Sequence, residues 1–199
     1  MDSPPQFPPR AKDRRVRRSR AALMNAAYAL VTERDTAAVP VSDIAEAAGV
    51  SRQLLYQHYG DRESLLLEAA LDLARRELSE RFEDDASVPI GRDRALVAAR
   101  HFAEHRRFYR AVLNSANGFA LNQGLSALLV PVSRERIERS FGDSLDAERI
   151  DELALFLTGG AAAVVNRWLT TGDDPLDAEA FADRLLELGA MFIASTRTS

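Results

Sequence analysis

The sequence has no cysteine, only three histidines and one tryptophan, and no long apolar run. Without cysteine, thiolate catalysis, disulfides, cysteine-ligated zinc and iron–sulfur clusters are excluded. The longest uncharged apolar run, residues 153–165, spans thirteen residues, whereas a membrane-spanning helix needs about 20. The first ten residues, MDSPPQFPPR, contain four prolines and no apolar core, unlike a signal or transit peptide. We therefore expect a soluble cytoplasmic protein with no membrane partner.

Common catalytic and phosphate-binding motifs are also missing. The sequence contains no G-x-x-x-x-G-K-S/T, G-x-G-x-x-G or G-x-S-x-G element, so no cofactor is expected. One enzyme-like pattern remains, H-x-x-E-H at His101, Glu104 and His105, which on a helix can bind zinc and leave the glutamate as a base. A catalytic zinc needs a third protein ligand, and the remaining histidine, His58, lies in a different motif. We therefore expect no metal site and interpret both histidines as helix-surface or helix-end residues.

The most informative stretch is residues 41–62, VSDIAEAAGVSRQLLYQHYGDR. Ile44, Ala45 and Ala48 fall on one apolar face of a short helix. Gly49 follows where the chain needs positive φ, and Ser51 can cap the first amides of a second helix. The pattern predicts a helix-turn-helix.

The second helix has an inner and an outer face. Leu55 and Tyr59, four residues apart, point inward. The outer face carries Arg52, Gln53, Leu54, Tyr56, Gln57 and His58. Such a helix fits the major groove of DNA, where arginine suits guanine and glutamine suits adenine. The alternative is a plain helical hairpin with a solvated polar face.

The segment from Arg15 to Leu67 resembles the DNA-binding domain of the TetR family of bacterial transcriptional regulators. The resemblance is carried by an upstream helix followed by Asp43-Ile44-Ala45, Ala48-Gly49-Val50-Ser51, Leu55-Tyr56-x-His58-Tyr59 and Asp61-Arg62-Glu63. The sequence departs from the family pattern at Leu54, where threonine is usual, at Pro40 in place of a threonine cap, and at Asp35 in place of glycine.

The resemblance also implies roles for individual residues. Arg52, Gln53 and Leu54 would contact bases, and Leu54 would offer an apolar contact to a thymine methyl. Tyr56 and His58 would contact phosphates, and Arg62 stands where a phosphate-binding lysine is usual. The full set that we expect at DNA is Ser51, Arg52, Gln53, Leu54, Tyr56, Gln57, His58, Arg62, Arg17 and Arg18.

Charge is divided unevenly along the chain. Residues 1–62 carry a net charge of +3 and residues 63–199 carry −7. Arg17 and Arg18 belong to a basic cluster that could follow phosphates; the alternative is a solvated basic tail without a partner. We expect residues 1–13 to be a disordered, Pro-rich basic arm.

The remaining pattern predicts an all-α protein of about nine helices. Residues 14–62 would form the three-helix DNA-binding domain with its helix-turn-helix. Residues 63–199 would form a helical effector-binding and dimerisation domain. A boundary or bend is expected at residues 84–91, because proline and glycine occur there. Residues 114–124, with two glycines and three asparagines, are predicted to be a loop.

The last two helices are apolar on more than one side, which favours burial against a second copy as a four-helix bundle. The alternative is that both fill a monomeric core. The predicted dimer interface consists of Leu153, Leu157, Gly160, Val164, Trp168, Leu185, Leu188 and Phe192. The family resemblance also implies a homodimer.

A small-molecule effector pocket is implied by the family more than by the residues. The candidate lining is Phe102, Phe108, Tyr109, Asn114, Phe119, Asn166 and Trp168, although aromatic residues at helical spacing are more often plain core.

The sequence thus favours a ligand-responsive repressor that binds a near-palindromic DNA operator as a dimer. Two rivals remain: a helical adaptor with weak or lost DNA binding, and a metal-dependent hydrolase built on His101, Glu104 and His105.

Overall fold

The computed structural model describes residues 11–79 and 91–196, with side chains over 13–78, 91–142 and 144–191. Across these ranges the chain forms nine α-helices and no strand, as the sequence predicts. The helices are α1 Ala11–Arg34, α2 Val41–Ala47, α3 Arg52–Tyr59, α4 Arg62–Ala74, α5 Arg92–Glu104, α6 Arg106–Leu113, α7 Gly118–Phe141, α8 Ala147–Thr171 and α9 Ala178–Thr196. Helix α4 continues as a π-helical turn over Arg75–Ser79, and a 3-10 turn occupies Gly142–Ser144.

The first three helices pack around one stripe of α1. Leu23, Ala27 and Val31 recur every four residues and are fully buried, because this spacing places them on one helix face. Ile44 of α2 and Leu55 of α3 are buried in the same core cluster. Helix α1 therefore supports the α2–α3 pair from behind.

Four helices begin with a side-chain cap, including the one predicted at Ser51. In each, a serine or aspartate oxygen accepts a hydrogen bond from the backbone N–H three residues later, which satisfies one of the free amides of a first turn. The distances are 3.2 Å at Ser51, 2.6 Å at Asp61, 2.8 Å at Asp146 and 2.9 Å at Asp177. Asp35 has the left-handed φ of 52° expected for a residue in the usual glycine position.

Some predicted boundaries are wrong. Helix α1 begins at Ala11, so residues 11–13 of the predicted disordered arm are helical, while residues 1–10 lie outside the described residues. Most of the predicted bend, residues 84–90, also lies outside them. The predicted loop over residues 114–124 is only partly correct, because α7 begins at Gly118. A Cβ at Gly124 would lie 2.6 Å from Cδ2 of Leu71, so this glycine allows α7 to approach α4 closely and does not mark a turn.

The N-terminal helices and the C-terminal body share a core. Phe108 and Tyr109 of α6 are fully buried in the same cluster as Leu23 of α1 and Leu66 of α4. The ring of Tyr28 meets the ring of Phe108 edge-on at a centroid distance of 5.1 Å. The buried contacts between α6 and helices α1 and α4 are therefore continuous.

Helix α8 is long and apolar, but little of it is buried by the rest of the chain. By length and composition it could cross a membrane, and only 22% of its apolar 18-residue window is buried in the chain. Every 18-residue window of α8 includes at least one charged residue, so it extends beyond the uncharged thirteen-residue run. The helix packs against α7 and leaves an apolar face exposed, including Leu155 and Phe156.

Candidate DNA interface and effector cavity

The turn between α2 and α3 has the geometry that the sequence predicts. Gly49 has a φ of 64°, which costs little only for glycine. The backbone N–H of Val50 then bonds the carbonyl of Ala45 at 3.0 Å, and the Val50 side chain packs against the core. The chain reverses within three residues, and Ser51 starts α3.

Helix α3 is locked onto α1 by a network around Tyr59. Leu55 is fully buried and Tyr59 is 8% exposed, and the Tyr59 hydroxyl donates to the carbonyl of Arg20 at 3.1 Å. The Arg20 guanidinium lies 4.6 Å from the centre of the Tyr59 ring, donates to the carbonyl of His58 at 3.1 Å and pairs with Glu68. Burial raises the pKa of Tyr59 to about 12, so the phenol stays protonated as a donor. The inner face of α3 is therefore fixed before any partner binds.

The outer face of α3 presents polar side chains to solvent. Ser51, Arg52, Gln53, Tyr56 and Gln57 are exposed. Tyr56 is 52% exposed although it is aromatic. Leu54, which is also predicted to contact DNA, is half-buried and offers only part of its side chain. The exposed set contains the donors and acceptors that bind base edges and phosphates.

His58 and Arg62 are held by contacts within the chain. His58 is half-buried, and its Nε2 lies 2.8 Å from Oγ of Ser19. Arg62 pairs with Glu63 and donates from Nη1 to the carbonyl of Val39 at 3.4 Å. A phosphate at either position would share the side chain with these contacts.

The basic part of α1 runs beside α3. Because Ser19 contacts His58, the preceding turn of α1 lies at the same edge as the end of α3. Arg17 and Arg18 on this turn are exposed, as are Arg14 and Arg15. The exposed cations of α1 thus extend the polar surface of α3.

A cavity of about 420 Å³ lies in the C-terminal body. It is bounded by α5, α7, α8 and α9, and most of its lining is apolar. Two polar pairs lie in its wall: Asn166 Nδ2 donates to Asn122 Oδ1 at 2.6 Å, and Thr158 Oγ1 donates to Ser133 Oγ at 2.7 Å. Arg94 also lines it and donates to Glu135 at 3.2 Å. This volume and the few polar groups are typical of a site for a small organic molecule.

Only two predicted pocket residues line this cavity, Phe102 and Asn166. Phe108 and Tyr109 are wrong as pocket residues, because α6 buries them in the core between the two parts of the chain. Trp168 is 8% exposed and stacks on Phe181 at a centroid distance of 4.0 Å, so Phe181 lines the cavity in its place. Asn114 is exposed and Phe119 is 74% exposed, and neither borders the cavity.

The predicted dimer residues divide between two faces. Trp168 is buried, Leu153 and Leu157 pack on the small cluster around Ile137, and Val164 and Leu185 pack on the main core. Gly160 and Leu188 are exposed, and the side chain of Phe192 lies outside the described residues. The predicted stripe therefore faces mostly inward, because α7 and α5 cover it. Among the described side chains of α8 and α9, the large apolar ones that are exposed are Leu155 at 62%, Phe156 at 64%, Leu188 at 46% and Met191 at 71%.

The H-x-x-E-H pattern does not form the site that its spacing suggests. Glu104 is exposed, whereas His101 and His105 are 2% and 7% exposed and both contact Glu77. Both histidines lie at the end of α5, as the sequence suggests, but they are buried and not at the surface.

Comparisons with known proteins agree with this geometry. A family model described as "Bacterial regulatory proteins, tetR family" matches residues 23–69, and one described as "Transcriptional regulator C-terminal region" matches residues 95–189. The HTH-type transcriptional regulator AlkX of Mycobacterium tuberculosis (strain ATCC 25618 / H37Rv) is 42% identical over 57 residues, which cover 29% of this chain and 27% of that protein.

Two solved structures share the fold over most of the chain. A TetR-family regulator from Rhodococcus sp. is 26% identical with a TM-score of 0.60, covering 87% of this chain and 97% of that one. The TetR family repressor AlkX from Dietzia sp. strain DQ12-45-1b is 23% identical with a TM-score of 0.61, covering 88% and 96%. With the helix-turn-helix, its exposed polar helix and matches in both parts of the sequence, this chain belongs to the TetR family of bacterial transcriptional regulators and is a DNA-binding regulator.

Proposed function

We propose that the protein is a ligand-responsive repressor that binds a near-palindromic operator as a homodimer. The observation that carries the proposal is the outer face of α3, where exposed polar side chains stand on a helix locked onto α1 through Leu55 and Tyr59. Such a helix enters the major groove as a rigid unit.

The side chains divide by the chemistry of what they would contact. Arg52 suits guanine, Gln53 and Gln57 suit adenine, and the exposed part of Leu54 suits a thymine methyl. The remaining predicted contacts would bind phosphates and set the register of the helix on the duplex; they are Ser51, Tyr56, His58, Arg62, Arg17 and Arg18.

The exposed apolar face of α8 and α9 supports the homodimer. Leu155, Phe156, Leu188 and Met191 would be covered if two copies paired these helices as a four-helix bundle. Gly159 and Gly160 are exposed beside them, and nothing lies within 4 Å of a Cβ built at either, so a partner helix could approach closely. Two-fold symmetry then requires two similar half-sites in the operator, separated by about one turn of the DNA double helix or a multiple of it.

The cavity supports an effector that is small and mainly apolar. Its walls belong to four helices of the body, and α6 joins that body to α1 and α4 through Phe108 and Tyr109. A molecule that binds one arrangement of these helices more tightly would favour that arrangement. In it, the two DNA-binding domains of the dimer would be separated by a distance that no longer fits two successive major grooves.

Selection of bound duplexes from a random pool tests the operator. We expect an enriched near-palindrome with half-sites about one turn, or a multiple, apart. Enrichment of single half-sites without a fixed spacing would contradict dimeric reading. Titration of apolar compounds against the protein–operator complex tests the effector. If a compound shown to fill the cavity leaves the operator fully bound by the protein, the proposal that an effector releases the DNA is contradicted.

A further inference from the structure

Three ligand-type side chains meet at the joint between the DNA-binding helices and the body. One oxygen of Glu77, Oε2, lies 2.9 Å from Nδ1 of His101 and 3.1 Å from Nε2 of His105. The histidines come from the end of α5, and Glu77 comes from the π-helical turn after α4. Three side chains from two separate segments therefore converge on one point.

The second nitrogen of each imidazole faces a tyrosine hydroxyl. Nε2 of His101 lies 2.8 Å from the hydroxyl of Tyr109, and Nδ1 of His105 lies 2.7 Å from the hydroxyl of Tyr28. The Tyr109 hydroxyl donates to the carbonyl of Ala70 at 3.3 Å, so it can accept the Nε2 hydrogen of His101. In that tautomer Nδ1 of His101 carries its lone pair on the Glu77 side, and a cation bound there would replace the 2.9 Å contact with Oε2 of Glu77. Metal-binding histidines are oriented by this kind of outer hydrogen bond.

The π-helical turn explains how Glu77 reaches the histidines. A π-helix adds one residue to a turn, which rotates the following side chains about the helix axis. Arg75–Ser79 is the segment with this geometry, and Glu77 is its central residue. Turns of this kind occur often at functional sites.

The three ligand atoms fit one metal ion. The two histidine nitrogens and the glutamate oxygen all lie within 4.8 Å of one another. Two tetrahedral ligands at zinc bond lengths are about 3.3 Å apart, so small shifts of the side chains would bring all three into range. Two imidazoles and one carboxylate suit zinc and neighbouring transition metals, and poorly suit magnesium or calcium.

From this geometry we propose that Glu77, His101 and His105 bind one divalent transition-metal ion. The ion ties the end of α4 to the end of α5. Tyr28 of α1 and Tyr109 of α6 support the ligands from behind. The proposal differs from the zinc site that the H-x-x-E-H spacing suggests, because the carboxylate ligand is Glu77 and not Glu104. It does not depend on DNA binding or on an effector in the cavity.

Metal titration of the full-length, untagged protein tests the site. After treatment with a chelator, Zn2+ is titrated by calorimetry, and Co2+ is followed by its visible absorption bands. We expect one ion per chain with micromolar or tighter affinity, and a rise in the melting temperature on binding. If the wild-type protein binds neither Zn2+ nor Co2+, the proposal is overturned.

Variants identify the ligands. Glu77→Gln and His105→Gln should each weaken Zn2+ binding by about 100-fold or more, and Tyr28→Phe, which keeps every ligand, by about 10-fold. Glu104→Gln is the matched control, because its exposed carboxylate lies between the histidines in sequence and should leave affinity unchanged. Equal loss in Glu104→Gln and Glu77→Gln, or unchanged affinity in Glu77→Gln, overturns the assignment. Should Glu77→Gln fold poorly by circular dichroism, the Zn2+ affinity of Tyr28→Phe is the deciding measurement. An unchanged affinity in Tyr28→Phe then overturns the proposed site.

Discussion

Replacing Phe156 with aspartate tests whether α8 and α9 form the contact between two copies of the chain. The Phe156 side chain borders the cavity and is 64% exposed in the single chain, and a partner helix would cover this exposed part. Complete burial of a phenylalanine contributes about 1.5–3 kcal/mol, and the still exposed part therefore contributes about 1–2 kcal/mol. A two-fold interface contains the residue twice. Phe156→Asp should cost about 2–4 kcal/mol of association free energy, a factor of roughly 30 to 1,000 in the dimer dissociation constant.

Sedimentation velocity over a concentration series measures this change. The wild-type protein should sediment as a dimer, and Phe156→Asp should dissociate at concentrations where the wild type does not. Phe119→Asp is the control, because Phe119 is 74% exposed but lies at the start of α7, outside the α8–α9 face. An unchanged dissociation constant in Phe156→Asp, or equal dissociation of the Phe119→Asp control, would refute the reasoning.

Three stability predictions follow from the caps and the turn. The guanidinium of Arg106 donates to the carbonyls of Leu169 at 3.0 Å and Gly172 at 2.6 Å. Because lysine cannot make both hydrogen bonds with the same geometry, Arg106→Lys should lower the free energy of unfolding by about 2–3 kcal/mol. An unchanged urea midpoint would contradict this prediction. Asp61→Ala should cost about 0.5–2 kcal/mol while Asp61→Asn keeps the cap, and equal urea midpoints for the two would contradict it. The hydrogen bond from the Ser64 N–H holds the pKa of Asp61 below its usual value, so this stabilisation is present above about pH 3.9 and lost as pH falls through the lower folded-state pKa. Gly49→Val places a β-branched residue at a φ of 64° and should lower the free energy of unfolding by at least about 1–2 kcal/mol. A variant as stable as the wild type would contradict this prediction.

Much of the fold could be predicted because its signals are local. Each capping oxygen lies three residues before the amide that it accepts from, and the positive φ of Gly49 and Asp35 follows from residue type and position. The buried stripe of α1 repeats within eight residues. Nothing distant is needed to read these features.

The cavity and the apolar face were harder to predict because both depend on which neighbour covers each helix face. Phe119 and Phe108 are the same residue type, yet the first is 74% exposed and the second fully buried. On α8, Leu157 packs against the small core cluster, while the adjacent Phe156 is exposed. Sequence spacing gives the faces of a helix but not which of them is covered.

The H-x-x-E-H pattern contains both histidines of the cluster, but the sequence has no local signal that Glu77 joins them. Glu77 lies 24 residues from His101, and its approach depends on the π-helical turn after α4. The acidic residue that is adjacent in sequence, Glu104, is the one that the fold leaves exposed.

The central claim is that α3 reads base sequence, and the affinity of wild-type and Arg52→Ala protein for DNA tests it most directly. Fluorescence anisotropy would follow binding to the duplex upstream of the protein's own gene and to a random duplex over a series of salt concentrations. We expect a clear preference for the upstream DNA, a fall in affinity with salt, and a loss of about 1–3 kcal/mol in Arg52→Ala on the preferred duplex with little change on the random one. Equal losses on both duplexes, or no DNA binding by the wild type even at low salt, would contradict the account.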